Sequence, residues 1–307
     1  MTNRWWTYQS ERFPILAHGP LILAFSFCAV SYSRLLRNDD GFPSWKAIIV
    51  AFASCLIFFL QLRIADEFKD FDEDSQFRPY RPVPRGLVNL RELAAVFVIG
   101  AVIQLGLAFL LNIKMAMMLL GVWIYLALMS KEFFVREWIT KRHITYMWTH
   151  MLIMPLVDFY ATACDWLPLD QAPPAGLYWF VIVSFFNGIV IEIGRKVRHP
   201  DDEEDGVNTY SALWGVKRAV TVWVVMLWLT AAIAFMTAMQ LPGNRWHLFG
   251  GIVFTTVATV ASMLAIKFIV KPMPGGGKTI EAMAGVWTLV MYLSLGAVPM
   301  IWQSMNP

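Results

Sequence analysis

The chain predicts an all-α, polytopic membrane protein of about nine spans, on three observations. Hydrophobic residues make up 58% of it and charged residues only 15%, with a mean hydropathy of +0.54. A soluble domain carries about a quarter charged residues. Apolar runs recur along the whole chain, most of them near the roughly 20 residues that a helical span requires. Lysine and arginine sort into alternate loops between those runs. Helices are the expected spanning element, because backbone polar groups in a bilayer must be satisfied within each segment.

Taken in order, the expected spans are 14–36, 45–66, 92–112, 114–130, 143–164, 174–196, 216–239, 246–270 and 280–303, the fourth being the shortest. Before the first, Met1–Phe13 is polar and aromatic, without the ordered regions of a cleaved signal, so direct insertion is expected. The loop after the second span carries Lys69, Arg78, Arg81, Arg85 and Arg91, and that after the fourth Lys131, Arg136, Lys141 and Arg142. Arg195, Lys196, Arg198, Lys217 and Arg218 follow the sixth, and Lys267, Lys271 and Lys278 the eighth. The other loops are poorer in cations. By the positive-inside rule the N terminus and these even-numbered loops are cytoplasmic and the C terminus is outside, in a bacterial inner membrane. A net charge of +3 implies no nucleic-acid partner. The basic residues gather where lipid phosphates or a substrate diphosphate would lie. Cys28, Cys55 and Cys164 all fall inside expected spans, with no CxxC, and read as apolar core residues.

A coarse internal symmetry suggests one domain, 1–307, built of pseudo-repeat halves at about 14–130 and 143–270 plus a final helix at 280–303. An acidic stretch follows the second span, and another, His199–Asp205, follows the sixth; each is followed by a glycine, Gly86 or Gly206, and another span. The expected arrangement has these loops facing one another across a central cavity. Gly275, Gly276 and Gly277, flanked by Pro272 and Pro274, read as a flexible loop, with no strand before them to make a phosphate-binding loop.

Chemistry gathers at the end of the second span. Asp66, Asp70 and Asp74 stand four apart, and a helix stacks such positions along one face. Like charges so arranged repel, unless a multivalent cation holds them. Carboxylate oxygens suit Mg²⁺, which commonly takes substrate phosphates to complete its shell. A carboxylate cluster at a membrane surface therefore points to an enzyme acting on a lipid diphosphate.

The triplet and the segment Arg78-Pro-Tyr-Arg-Pro-Val-Pro-Arg-Gly86 that follows it resemble the first signature of the UbiA superfamily of intramembrane prenyltransferases. Members share an Asn/Asp-x3-Asp-x3-Asp motif and then a Tyr/Asn-Arg-Pro-x-Pro-x-Gly segment. The spacing from Asp66 to Arg81-Pro82 looks most like the chlorophyll-synthase and geranylgeranylglyceryl-phosphate branches; the usual leading Asn is Asp66 here, which keeps an oxygen ligand. The resemblance covers most of the chain. It implies an all-helical intramembrane fold whose aspartates bind Mg²⁺ and, through it, an isoprenoid diphosphate. It also implies further diphosphate-binding basic groups at Arg12, at the start of the first span, and Lys131, after the fourth.

The second signature departs from the family's Asp-x3-Asp pattern. Aligned on Gly206-Val-Asn-Thr-Tyr-Ser211, Asp202 takes the place of the last aspartate, while Arg198 stands four residues earlier and the helix end reads Glu192-Ile-Gly-Arg-Lys196. Two readings follow. Either Glu192, Asp202 and a neighbour such as Asp201 or Glu203 complete a second Mg²⁺ site, or Arg195, Lys196 and Arg198 contact the diphosphate in place of one metal. Arginine can fork to phosphate oxygens and lysine can act as a point charge. Partial substitution of the metal is the favoured reading. The run at 201–205 also reads as plain solvated loop charge. Glu192, near a span end, should be functional or paired, because an ionisable group there costs about 2.5–3.5 kcal/mol to insert. His143, His150 and Asp158 in the fifth span read as a helix-packing hydrogen-bond set or, less simply, as acceptor-binding groups.

Breaking the C1–O bond of an allylic diphosphate leaves negative charge on the leaving group and positive charge on the isoprenyl carbon. Mg²⁺ with Arg81, Arg195, Lys196 and Arg198 would stabilise the first in a water-poor site. Aromatic faces, 15% of this chain, would stabilise the second. Asp66, Asp70, Asp74 and Asp202 are the expected catalytic metal ligands. The expected reaction is prenyl transfer to an aromatic or lipid acceptor. A terpene cyclase of the same superfamily, needing no acceptor, is the alternative. A cation or lipid permease fits less well, because the carboxylates gather at span ends rather than near the midplane.

Overall fold

The structure, a computed structural model, describes residues 3–39, 41–243 and 245–306. Among them no strand occurs, and nine helical segments are long and apolar enough to cross a membrane: Ile15–Leu36, Trp45–Lys69, Leu90–Leu111, Ile113–Ser130, His143–Leu169, Leu177–Arg195, Val216–Ala238, Arg245–Val270 and Gly277–Met305. All nine expected spans are present, each within a few residues of its expected ends.

Local chemistry sets the boundaries. A short helix, α1 (Arg4–Arg12), is capped by Asn3, whose side chain accepts from the Trp5 N–H, and precedes α2 (Ile15–Leu36). Ser44 caps α3 (Trp45–Lys69), and α4 (Phe71–Phe77) follows after one residue. A capping box, Asn89 with Glu92, opens α5 (Leu90–Leu111). A single extended residue, Asn112, ends α5 and caps α6 (Ile113–Ser130) through the Lys114 N–H, so the chain reverses without a loop. After α7 (Arg136–Thr140), the fifth span is split at Leu152 into α8 (His143–Met151) and α9 (Ile153–Trp166). Pro155 explains the split, since its ring would clash with the Met151 carbonyl and it lacks the N–H to bond it. The chain continues through α10 (Leu177–Arg195), α11 (Tyr210–Trp214), α12 (Val216–Ala238) and α13 (Arg245–Val270). The last span, α14 (Gly277–Tyr292) and α15 (Val298–Met305), is joined by a π-helical turn at Leu293–Ala297. That widening sits where Pro299 removes an N–H from the helix ladder.

The chain forms two compact units, Met1–Val30 with Pro43–Ala172, and Ser31–Phe42 with Pro173–Pro307. In the first, α3 packs on α5 and α9, and α6 packs on α5 and α9. Small residues let backbones approach: a Cβ on Gly100 would lie 2.8 Å from Ile57. Buried Gln104 joins three helices, donating to the Ser54 carbonyl (3.0 Å) and accepting from the Trp123 indole (3.1 Å). Where α1 meets the loop after α4, Tyr8, Ile64, Val83, Val88 and Leu93 form a buried apolar cluster. Cys28, Cys55 and Cys164 are all buried, as expected.

In the second unit α10 packs on α12 and α14, and α13 on both of these. Gly194 permits this: an added Cβ would lie 2.9 Å from Ala284 and 3.1 Å from the Trp223 indole, which itself donates to the Val190 carbonyl at 3.0 Å. Thr288 donates to the buried Asn187 amide oxygen at 3.1 Å. The glycine run is not the flexible loop expected from its composition. Gly275 takes φ +77° in a turn, and Gly277 opens α14 so tightly against the segment after α10 that a Cβ would lie 2.2 Å from the Val197 carbonyl oxygen. Glycine here serves close approach.

After α6 the chain makes a left-handed turn through three non-glycine residues, Glu132 (φ 48°), Phe133 (54°) and Phe134 (60°). Left-handed backbone costs an L-residue roughly 1–2 kcal/mol, so the turn stores strain. Phe134 is exposed and gives little in return. Phe134→Gly should therefore raise stability by roughly 0.5–1 kcal/mol, read as a higher thermal midpoint in detergent. Gly277→Ala should lower it by about 1–3 kcal/mol through overpacking, and an unchanged midpoint would contradict the tight seat of α14.

Candidate functional site

The first acidic motif lies at the end of α3, in the first unit. Asp70 closes α3 and opens α4, with φ −96° and ψ 7°. The helix expected to run unbroken through the motif is thus interrupted. A new helix beginning at Phe71 puts Asp72, Glu73 and Asp74 at its positively polarised N-terminal turn rather than at the negative end of α3. The register survives the break. The N–H groups of Asp70, Asp74 and Arg78 bond the carbonyls of Asp66, Asp70 and Asp74 at 2.9, 2.8 and 2.9 Å.

The three carboxylates differ in surroundings. Asp66 is half exposed, 3.7 Å from Arg63. Asp74 is buried, with Arg78 at 2.6 Å on one oxygen and Arg81 at 2.7 Å on the other. Asp70 lies between them. Burial, followed by the charges of Asp66, Asp74 and Glu73, pushes its pKa up to about 6 against the opposing pull of Lys69. Asp74 thus orients the Arg-Pro segment, while crowding at Asp70 would be relieved by a further cation.

Two flanking contacts complete this end of the unit. Arg12 donates to the buried carboxylate of Glu67, tying α1 to α3. Lys69 donates to the Tyr146 hydroxyl, lies 5.0 Å from that ring's centre, and has Glu132 at 3.7 Å. Tyr146 stacks on His150, whose Nδ1 is 2.8 Å from the Tyr146 carbonyl. The strained turn after α6 therefore holds a buried carboxylate, Glu132, against the last lysine of α3. His150 is a candidate from sequence, but Glu132 and its pairing with Lys69 are not. Its only signal was a charged pair, Lys131-Glu132, directly after a span. Lys131 is exposed and lines a cavity described below.

The second motif lies in the other unit and is bound up within itself. Glu192 is buried, with Arg195 at 2.8 Å and Lys196 at 2.7 Å. Arg198 reaches Glu204 at 3.0 Å, and its own N–H donates to Ser211 Oγ. Asp202 Oδ2 accepts from the Gly275 N–H at 2.6 Å, pinning the glycine turn. Glu203 accepts from Thr209 and Ser211, each at 2.7 Å. Asp201 is exposed beside His199. Each acidic and basic candidate here, except Asp201, thus makes its main contact inside its own motif or with the segments packed on it.

Among the described residues no group of three His, Cys, Asp or Glu side chains stands close enough to cage a metal. The oxygen donors of Asp66 and Asp70 nonetheless suit Mg²⁺, which uses one or two carboxylates and leaves the rest of its shell to phosphates and water. The raised pKa of Asp70 fits that use, because a bound cation would favour its charged form.

A profile of the UbiA prenyltransferase family matches residues 22–274. No curated protein matches the chain. Similar solved structures include the apo form of a UbiA homologue from Aeropyrum pernix K1, at 17% identity and TM-score 0.65, covering 91% of this chain and 98% of that one. A structure of digeranylgeranylglyceryl phosphate synthase is similar at 13% identity and TM-score 0.63, covering 98% and 99%. A UbiA homologue from Archaeoglobus fulgidus, bound to GPP and Mg²⁺, is similar at 11% identity and TM-score 0.52, covering 92% and 98%. At such identities these structures speak to the fold, which they share along nearly its whole length. The family match runs from within α2 through both acidic motifs to the turn before α14, and with it the chain is an integral membrane protein of the UbiA prenyltransferase family.

Proposed function

We propose that the protein is a Mg²⁺-dependent prenyltransferase that ionises an isoprenoid diphosphate and passes the prenyl group to an aromatic or lipid acceptor. The observation that carries this reading is the crowding at Asp70, whose carboxyl is pushed up to about 6 by burial and by neighbouring carboxylates. A group so placed gains from a divalent cation. The GPP and Mg²⁺ bound by the Archaeoglobus homologue support the same ligands here.

Asp66 and Asp70 would hold the ion, which when bound would neutralise charge developing on the diphosphate. Arg81, oriented by Asp74 and one fifth exposed, would meet a phosphate oxygen. Asp74 would act as the brace that fixes Arg78 and Arg81 rather than as a full ligand. The buried pair Arg12–Glu67 would hold α1 beside the motif. In the second motif, Asp202 is proposed as the remaining acidic contributor. Arg195 and Lys196 neutralise Glu192, so Glu192 is read as paired rather than metal-binding. Positive-inside orientation would put both motifs on the cytoplasmic side.

Purified protein supplied with geranyl, farnesyl and geranylgeranyl diphosphates should release diphosphate only when Mg²⁺ is present. A terpene hydrocarbon or alcohol formed without acceptor would identify a cyclase. Silence with every chain length would leave a permease. Asp70→Ala should lower turnover by at least about 100-fold, the order expected when a transition-state charge stabiliser is lost, with little change in thermal midpoint. Asp74→Ala should differ. Leaving Arg78 and Arg81 without their buried partner should lower stability by about 3 kcal/mol as well as activity, so a midpoint as high as wild type would remove the bracing role.

A further inference from the structure

A second cavity-forming feature of the first unit is unrelated to the carboxylates. A cavity of about 510 Å³ runs between α3, α5 and α6. That is within the roughly 300–1,000 Å³ typical of ligand sites. Its walls are apolar, with Phe68, Phe97, Trp123 and Ala127 among them, and its charged residues are Lys69 and Lys131, at the ends of α3 and α6. None of Asp66, Asp70 and Asp74 lines it, and neither does any other carboxylate.

The two lysines are not equivalent. Lys69 is tethered by Tyr146 and has the buried Glu132 at 3.7 Å, so its charge is largely answered within the unit. Lys131 is exposed, and no ion pair to it occurs among the described residues. The cavity therefore offers one uncompensated positive charge at the head of an apolar slot. An isoprenoid diphosphate carries about three negative charges and calls for a metal, for which this cavity has no ligand. A phosphodiester carries one.

We propose that this cavity is a binding site for an anionic membrane phospholipid, its phosphodiester on Lys131 and an acyl chain along Phe68, Phe97 and Trp123. Basic pockets between spanning helices are suited to such headgroups, and one lysine near the surface is worth about a fivefold preference for anionic lipid. A lysine that merely snorkels to the interface would also favour anionic lipid, so occupation of the slot itself is what filling it must test. Lipid binding here takes Lys131 out of the diphosphate-binding set that the family resemblance implies, because no carboxylate of the first motif lines its cavity; it does not depend on which prenyl substrate is used.

Native mass spectrometry of the delipidated full-length protein, titrated with phosphatidylglycerol or phosphatidylcholine of equal chain length, tests this. Phosphatidylglycerol should be retained about fivefold better. The preference should vanish in Lys131→Gln and survive in Lys131→Arg. Ala127→Phe should reduce retention of phosphatidylglycerol by filling the slot, and diphosphate release without added lipid should be unchanged in that variant. Equal retention of the two lipids in wild type would overturn the proposal, as would a preference that persists in Lys131→Gln. Displacement of phosphatidylglycerol by geranylgeranyl diphosphate in the absence of Mg²⁺ would also overturn it, because the slot would then take the substrate's tail.

Discussion

The end of an apolar helix is a costly place for a carboxylate, and the way each one is answered there organises this molecule. Glu67 is held by Arg12, Asp74 by Arg78 and Arg81, Glu132 by Lys69, and Glu192 by Arg195 and Lys196. Breaking such a buried pair from one side leaves a bare charge, so these pairs fix the loops that contain them even where they add little net stability. The Arg-Pro segment after α4 keeps its path because Asp74 grips the guanidinium groups of Arg78 and Arg81 while Val83 and Val88 enter the apolar cluster beneath. Against this background Asp70 stands out. Burial raises it first, its three acidic neighbours add to that, and Lys69 opposes them, leaving it pushed upward.

The same accounting separates the two motifs chemically. In the first, acid exceeds base around Asp66 and Asp70, which invites a cation. In the second, base has been introduced at Arg195, Lys196 and Arg198, and the acid that remains is used at once: Glu192 by the neighbouring cations, Glu203 by two hydroxyls, Asp202 by the Gly275 N–H. A motif that satisfies itself can hold its shape without a metal. That is the physical content of a sequence in which arginine replaces an expected aspartate, and it assigns the two motifs different chemical work.

The nine spans were legible because a bilayer imposes length and hydropathy on each one separately, so no knowledge of neighbours is needed. The i, i+4 backbone register of Asp66, Asp70 and Asp74 was legible for a similar reason, since it depends only on helical periodicity. The break at Asp70 was not, because it turns on a balance between continuing α3 and starting a helix whose N-terminal turn favours acid. Glu132 against Lys69 lay further out of reach. It depends on a left-handed turn through Glu132, Phe133 and Phe134 that no residue in it favours. Gly275, Gly276 and Gly277 misled for the opposite reason. Composition reports conformational freedom, whereas the Val197 carbonyl beside Gly277 requires the absence of a side chain.

The strained turn bears on more than one function. It places Glu132 to answer Lys69, and in doing so it leaves Lys131, the residue just before, without an internal partner. Two lysines at the ends of neighbouring helices would otherwise repel and present a doubly charged rim. With one of them answered, the rim carries a single charge over an apolar slot, while the carboxylates of the motif stand clear of it. Strain of roughly 1–2 kcal/mol per residue is retained in a fold only where the surroundings enforce it. Here the enforcing contacts are Phe133 against Tyr125 and His150, and Glu132 against the last turn of α3. The turn thus divides positive charge between the interior of the unit and its apolar groove, and that division separates the proposed metal-binding carboxylates from the proposed lipid site along α3.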